Sequence, residues 1–79
     1  MKDKDKIRLK KVSANLKKIR EDKGLGQREL SSNCDVDVSK INKIEKHHAN
    51  MMVTTLIELA EGLGVHPKDL LDIDFSKAK

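Results

Sequence analysis

Residues 26–45 read GQRELSSNCDVDVSKINKIE, and this stretch predicts two short helices joined by a tight turn. Gly26 is an acceptable N-cap for the first helix, and Glu29 then occupies the third helical position, where its carboxylate can accept a hydrogen bond from a free backbone amide. Asn33 and Asp35 are expected to end this helix, because both residue types tolerate the left-handed conformation that a tight turn requires. The stretch therefore predicts a helix, a turn of three or four residues and a second helix.

The second of these helices, which Asp37 is expected to cap, has two contrasting faces. At about 100° per residue, Ile41 and Ile44 lie on one side of it. The opposite side carries small or basic polar groups, namely Ser39, Asn42, Lys43 and Lys46. A solvated helix face usually mixes Glu with Lys at i,i+4 spacing, so this face indicates a surface that binds a partner.

An amphipathic helix is predicted before this stretch, over about residues 6–23. Apolar residues recur there at spacings of three and four: Leu9, Val12, Leu16 and Ile19. Asp3 or Asp5 is available as the N-cap, and Gly24 stands where a left-handed C-terminal residue belongs.

Two further helices are predicted after the stretch. The first is the most apolar of the chain and closes near Gly64; its apolar positions are Val53, Leu56, Ile57, Leu59, Ala60 and Leu63. The second is short and begins with His66 at the cap and Pro67 at the first helical position. The sequence thus predicts an all-α fold of five helices.

Composition and charge restrict the possible functions. The chain has 79 residues, enough for one domain that buries roughly 60–65 % of its unfolded surface. A single Phe and the lack of Trp and Tyr exclude the stacking platforms of single-strand nucleic-acid binders. Residues 1–23 carry ten Lys and Arg against four Asp and Glu, whereas residues 51–79 carry three against five. This asymmetry suggests either a polyanionic partner for the N-terminal part or a lysine-rich solvated helix.

Several classes of site are not expected. Cys34 is the only cysteine, so no intramolecular disulfide can form. No apolar run suits a signal peptide or a membrane span, which predicts a cytoplasmic protein that does not contact membrane. His47 and His48 are adjacent and cannot easily face one ion, so no metal site is predicted. No nucleophile, base and orienter arrangement is visible, and the sequence therefore predicts no enzyme, no cofactor and no small-molecule effector.

The run LGQRELSSNCDVDVSKINKIEKHHANMMVTTLIELAEGLGVHPKDLL, with LKKIREDKG before it, resembles the Cro and phage-repressor (XRE) helix-turn-helix family over about residues 12–71. The resemblance implies a compact five-helix lambda-repressor-like DNA-binding domain at residues 12–71. Residues 1–11 would form a basic N-terminal arm and the start of helix one, and residues 72–79 a short C-terminal tail. Residues 37–46 would be the recognition helix, which enters the major groove of double-stranded DNA.

The resemblance also implies roles for individual residues. Gln27 matches the family's Gln that opens the first motif helix and braces against the DNA backbone, and Arg20 and Glu45 match a frequent acid and base pair. The departures from the family pattern are Gly26 for the usual Ser or Thr cap, Ser31 for Ala, Asp35 for the turn Gly and His47 for a common Gly.

Base reading is expected from four side chains at the start of the recognition helix. Lys43 can donate to guanine O6 or N7, and Ser39 can donate or accept. Asn42 can pair with adenine if it reaches, and Val38 can meet either a thymine methyl or the rim of the core. Contacts to the DNA backbone are expected from Gln27, Lys40, Lys46, Lys4, Lys6 and Lys10, although the N-terminal lysines also fit a solubilising arm.

The tail LLDIDF predicts a dimer contact, because Leu71, Ile73 and Phe75 alternate with aspartates and have little core left to join. A twofold dimer would suit an inverted-repeat operator. The leading interpretation is therefore a sequence-specific transcriptional regulator that binds double-stranded DNA as a homodimer. The alternative is a protein-interaction module, such as an antitoxin or a bridging factor.

Overall fold

The computed structural model describes residues 2–76, which form α-helices and no strand. The order is α1 (Asp3–Asp22), α2 (Gln27–Ser32), α3 (Val38–His47), α4 (Val53–Leu63) and α5 (Pro67–Leu70). The five-helix, all-α prediction is confirmed. Residues 77–79 of the predicted tail lie outside the described residues.

Helix α1 begins earlier than the sequence predicts. It starts at Asp3 and has Lys2 at the N-cap, with no side-chain cap hydrogen bond. The expectation that Asp3 or Asp5 caps the helix is therefore wrong: both lie in the first turn, where a carboxylate complements the positive end of the helix dipole. Residues 3–11 are helical, so the N-terminal lysines stand on a helix and do not form an irregular arm. Gly24, with φ of 70°, follows the helix in the left-handed conformation that its position predicts.

The turn between α2 and α3 differs from the expectation. Neither Asn33 nor Asp35 is left-handed, because within residues 2–76 the only non-glycine residue with a positive φ is His48, at 55°. Side-chain bonds hold the turn instead. Ser31 Oγ donates to the Val36 carbonyl at 2.7 Å, and Glu58 Oε1 on α4 accepts from the Asp35 amide at 2.9 Å.

The predicted helix ends are otherwise close to those observed. Glu29 Oε1 accepts from the Gly26 amide at 3.0 Å, as predicted for the start of α2. Asp37 occupies the N-cap of α3 but its side chain makes no cap hydrogen bond, and α3 extends one residue past the predicted range before His48 ends it. His66 caps α5, where its Nδ1 accepts from the Lys68 amide at 3.1 Å.

All five helices contribute to the core, which lies between α1, α2, α3 and α4 and is closed by α5. Its buried apolar residues are Leu16, Leu30, Val36, Ile41, Ile44, Leu59, Ala60, Leu63 and Leu70. Helix α4 crosses α2 at Gly62, where an added Cβ would lie 2.9 Å from Leu30 Cδ1 and 3.0 Å from Cys34 Cβ. Not every apolar position of α4 faces this core, because Val53 is 71 % exposed and Ile57 is 37 % exposed.

Candidate nucleic-acid interface

Helix α3 presents the polar face that its sequence predicts. Ile41 and Ile44 are buried, while Ser39, Asn42 and Lys43 are exposed on the other side. Val38, at the first position of the helix, is half-buried. The docking of the apolar side against the core is therefore what turns the polar side chains outward.

These side chains border two different clefts. A broad open cleft of about 800 Å³ lies between the first turn of α2 and the first turns of α3, and is lined by Gly26, Gln27, Arg28, Glu29, Val38, Ser39 and Asn42. Lys43 lies outside it, beside a smaller cleft of about 270 Å³ that Ser39 and Asn50 also line. Arg28 and Asn50 were not predicted as site residues. The only signal for Arg28 in the sequence is its place beside Gln27.

A buried ion pair lies beneath the broad cleft. Arg20 Nε donates to Glu45 Oε2 at 2.8 Å, and Arg20 Nη2 donates to Glu45 Oε1 at 2.9 Å. The two side chains are 9 % and 3 % exposed. The hydrogen bond to Glu45 raises the pKa of Arg20 above its usual value. The pair joins α1 to α3, and Arg20 Nη1 extends it to the Leu25 carbonyl at 2.7 Å.

Gln27 connects this ion pair to the exposed face of α3. Its Nε2 donates to Glu45 Oε1 at 3.1 Å, and its Oε1 accepts from Asn42 Nδ2 at 3.3 Å. The sequence assigns Gln27 to the DNA backbone and Asn42 to the bases, but the structure bonds the two side chains to each other. A continuous hydrogen-bonded chain thus runs from Arg20 through Glu45 and Gln27 to Asn42.

The predicted backbone lysines are spread over the surface. Lys6 and Lys10 line a cleft of about 450 Å³ with Ile7, His47, His48 and Ala49, at the C-terminal end of α3. Gln27 borders a different cleft and bonds to Asn42 and Glu45 of α3. Lys40 borders a fourth cleft beside Asp35, Asp37 and Glu58, and Lys4 and Lys46 are exposed. In the described part of the chain, no cluster of His, Cys, Asp and Glu is arranged to hold a metal ion.

Helix α5 and the tail lie against α1, and the tail remains partly exposed. Asn15 Nδ2 donates to the carbonyls of Asp69 and Leu70 at 3.0 and 3.1 Å, and Lys11 Nζ donates to the Asp74 carbonyl at 2.8 Å. Ile73 is half-buried. Leu71 is 46 % exposed and Phe75 is 36 % exposed, and further exposed apolar side chains are Met52, Val53 and Ile57.

A helix-turn-helix family profile matches residues 16–70, well over half of the chain. The chain belongs to this helix-turn-helix family. Its members are DNA-binding regulators of transcription and not enzymes. The resemblance to Cro and phage repressors, the fold class and the function as a transcriptional regulator are thereby confirmed.

Curated relatives agree with this assignment. The uncharacterized HTH-type transcriptional regulator y4dJ of Sinorhizobium fredii is 34 % identical over 62 residues, which cover 78 % of this chain and 80 % of the relative. Control protein C.BamHI of Bacillus amyloliquefaciens is 35 % identical over 48 residues, which cover 61 % of this chain and 59 % of that protein.

Solved structures of the restriction-modification controller protein C.Esp1396I share the fold. The wild-type protein gives a TM-score of 0.76 at 32 % identity, with coverage of 82 % of this chain and 86 % of that chain. C.Esp1396I in a nucleoprotein complex gives a TM-score of 0.78 at the same identity, with coverage of 82 % and 84 %. Within residues 2–76, no helix is both long enough and apolar enough to cross a membrane.

Proposed function

We propose that this protein binds an inverted-repeat DNA operator as a homodimer, with α3 of each protomer in the major groove. The observation that supports this proposal most directly is the exposed polar face of α3, formed by Ser39, Asn42 and Lys43. Ser39 and Asn42 also line the cleft between this face and the first turn of α2. An α-helix fits the major groove, whose base edges present a distinct donor and acceptor pattern for each base pair. Because it acts on DNA, we expect the protein to be cytoplasmic.

Within this proposal, the start of α3 reads bases. Lys43 donates to guanine O6 or N7, Ser39 donates or accepts, and Asn42 pairs with adenine. Val38 is half-buried, which suits a contact with a thymine methyl at the edge of the core. The separation of Lys43 from the broad cleft supports a contact to a different base pair from that of Asn42.

Backbone contacts fix the position of the protein on the duplex without reading sequence. Gln27, Lys40 and Lys46 are proposed to contact phosphates near α2 and α3, and Lys4, Lys6 and Lys10 to contact phosphates from α1. Lys6 and Lys10 line a different cleft from Gln27. Their phosphates would therefore differ from the one that Gln27 contacts.

The relatives favour one biological role over the others that the family allows. C.BamHI is a control protein, and C.Esp1396I is a restriction-modification controller protein that forms a nucleoprotein complex. We propose a controller of the same kind, which regulates transcription through its own concentration and dimerisation. No observation favours the alternative of a protein-interaction module.

A selection from random duplexes tests this proposal. The protein is mixed with a library of double-stranded DNA, and bound duplexes are recovered, amplified and sequenced. We expect enrichment of a palindrome whose half-sites lie about one turn of B-DNA apart, roughly 34 Å. Recovery of duplexes without any common sequence would contradict sequence-specific binding, and enrichment of a single unrepeated site would contradict the twofold arrangement.

Dimerisation is proposed to involve Leu71, Ile73 and Phe75 of the tail. A partly exposed Phe and Leu on so small a domain suit burial against a second copy. Phe75→Ala should raise the dimer dissociation constant about tenfold or more, because a buried aromatic side chain contributes well over 1.4 kcal/mol to association. Sedimentation velocity over a concentration series measures this shift, and Asp72→Ala, an exposed polar neighbour, is the control. A wild-type monomer at tens of micromolar, with Phe75→Ala binding operator normally, would rule the contact out.

A further inference from the structure

We propose that Gln27 is a positioning residue that fixes the side-chain amide of Asn42 and so sets the base preference at the position Asn42 reads. This inference rests on the proposed function, because it concerns how the same surface selects DNA. It assigns Gln27 a second task beside any phosphate contact. This role follows from which group donates and which accepts in each hydrogen bond of the chain that runs from Arg20 through Glu45 and Gln27 to Asn42.

The buried end of the chain of hydrogen bonds fixes the orientation of Gln27. A guanidinium only donates and a carboxylate only accepts, so Arg20 must be the donor and Glu45 the acceptor. Glu45 Oε1 accepts from Arg20 Nη2 at 2.9 Å and from Gln27 Nε2 at 3.1 Å. A flipped Gln27 would point its carbonyl oxygen at a carboxylate oxygen. Gln27 must therefore direct its amino group inward.

The orientation of Gln27 then fixes that of Asn42. With Nε2 directed inward, Gln27 Oε1 faces the surface and can only accept. Asn42 must turn Nδ2 toward it, as the 3.3 Å contact shows. Asn42 is exposed, and within residues 2–76 this is the one hydrogen bond of its side chain. The buried ion pair thus determines, through Gln27, the orientation of the exposed side-chain amide of Asn42.

The bases that Asn42 can recognise depend on the side-chain groups that it does not use to bond to Gln27. One N–H is bonded to Gln27, so Asn42 presents its second N–H and its Oδ1, one donor and one acceptor. Adenine offers N7 as an acceptor and the N6 amino group as a donor in the major groove, which complements this pair. Guanine offers two acceptors, O6 and N7, and leaves Oδ1 opposite an acceptor. An oriented Asn42 therefore selects adenine over guanine.

Removal of the Gln27 side-chain amide should weaken the preference of Asn42 for adenine over guanine. Gln27→Met keeps the length and the packing of the side chain but cannot accept from Asn42 or donate to Glu45. Asn42 can then rotate its amide, and the preference for adenine over guanine at its base pair should fall at least about fivefold. Gln27 is not part of the apolar core, and a circular dichroism melt checks that the variant is folded.

The experiment measures affinities of five proteins for a panel of operator duplexes in which each half-site position carries each base pair. The proteins are wild type, Gln27→Met, Asn42→Ala, the double variant of Gln27 and Asn42, and the control Arg28→Ala. Arg28→Ala is the matched control, because Arg28 is an exposed neighbour in the first turn of α2 and bonds to neither residue. We expect Gln27→Met and Asn42→Ala to relax the same single base pair, with no further loss in the double variant. Arg28→Ala should weaken all duplexes by a common factor.

Other outcomes separate this inference from the proposed function. If Gln27→Met weakens every duplex equally, or relaxes a base pair that Asn42→Ala leaves intact, the positioning role is wrong while sequence-specific binding stands. If wild type prefers no duplex, the proposed function fails and the inference fails with it. The side-chain NH2 signals of Asn42 in NMR spectra of the free protein give an independent readout. Slowed proton exchange that is lost in Gln27→Met supports the bond, and unchanged exchange overturns it.

Discussion

Two ion pairs of this domain, each between an Arg and a carboxylate, differ in burial and are therefore expected to differ in how much they stabilise the fold. Arg20 and Glu45 lie 2.8 Å apart with side chains 9 % and 3 % exposed, whereas Arg8 and Asp5 lie 3.1 Å apart with side chains 49 % and 45 % exposed. The first pair joins α1 to α3 and, through Gln27, to α2. The second stays within one turn of α1. Water and salt screen the exposed pair, so we expect the buried pair to hold the interface together and the exposed pair to contribute little.

The largest expected effect comes from breaking the buried pair at one partner. Glu45→Ala leaves the Arg20 guanidinium buried without its counter-ion, and should lower the free energy of unfolding by roughly 3–5 kcal/mol. Urea denaturation measures the change, with Glu61→Ala, an exposed carboxylate on α4, as control. In a double-mutant cycle the Arg20→Ala and Glu45→Ala losses should be strongly non-additive. A coupling free energy near zero would mean that the two charges are merely solvated.

The raised pKa of Arg20 determines the pH range over which this stabilisation persists. A group whose pKa is higher in the folded state stabilises the fold fully below its unfolded pKa, and the contribution is lost as pH rises through the folded value. For Arg20 the pKa is shifted upward, chiefly by the hydrogen bond to Glu45. The contribution of Arg20 should therefore stay constant from neutral to mildly alkaline pH.

The second-largest effect is expected for Lys43, on the exposed polar face of α3. Lys43→Ala should weaken binding to the preferred operator by about 1–3 kcal/mol and relax the preference at one base pair per half-site. Binding to a scrambled duplex should change little. Titration of both duplexes with wild type and variant measures the difference. If both affinities fall equally, Lys43 contacts a phosphate, and base reading is left to Ser39, Asn42 and Val38.

A smaller effect for each residue is expected on the basic surface of α1. Conversion of Lys4, Lys6 and Lys10 to Gln should weaken operator and scrambled duplexes alike. Each true phosphate contact that is lost should flatten the slope of log affinity against log salt by about 0.9. Titrations at several salt concentrations give the slope, and Lys17→Gln, which removes one exposed charge from the same helix, is the control for a single substitution. An unchanged slope for the triple variant would show that these lysines are only solvated.

The smallest effect should come from the exposed pair. Asp5→Ala should change the free energy of unfolding by no more than about 0.5 kcal/mol, since exposed pairs within a helix rarely contribute more. The Asp5 and Arg8 double-mutant cycle, measured by the same urea titrations, completes the comparison with Arg20 and Glu45. A coupling as large as that of the buried pair would show that burial is not what separates the two.

Local signals in the sequence were enough to predict the helices. The spacing of Ile41 and Ile44 gave the buried side of α3, and the Gly64 and His66 positions gave the end of α4 and the start of α5. Such signals succeed because helix periodicity and capping depend on residues within one or two turns. The family resemblance added the pairing of Arg20 with Glu45, which periodicity alone does not indicate.

Long-range packing decided what the sequence left open. The turn before α3 contains no left-handed residue, and Glu58, on α4, accepts a hydrogen bond from its Asp35 amide. Gln27 bonds to Asn42 because α2 and α3 dock with Glu45 beneath them. The sequence by itself determined which side chains could form these bonds. Only the tertiary structure decided which bonds exist, because hydrogen-bond geometry depends on how helices distant along the chain are brought within about 3 Å of one another.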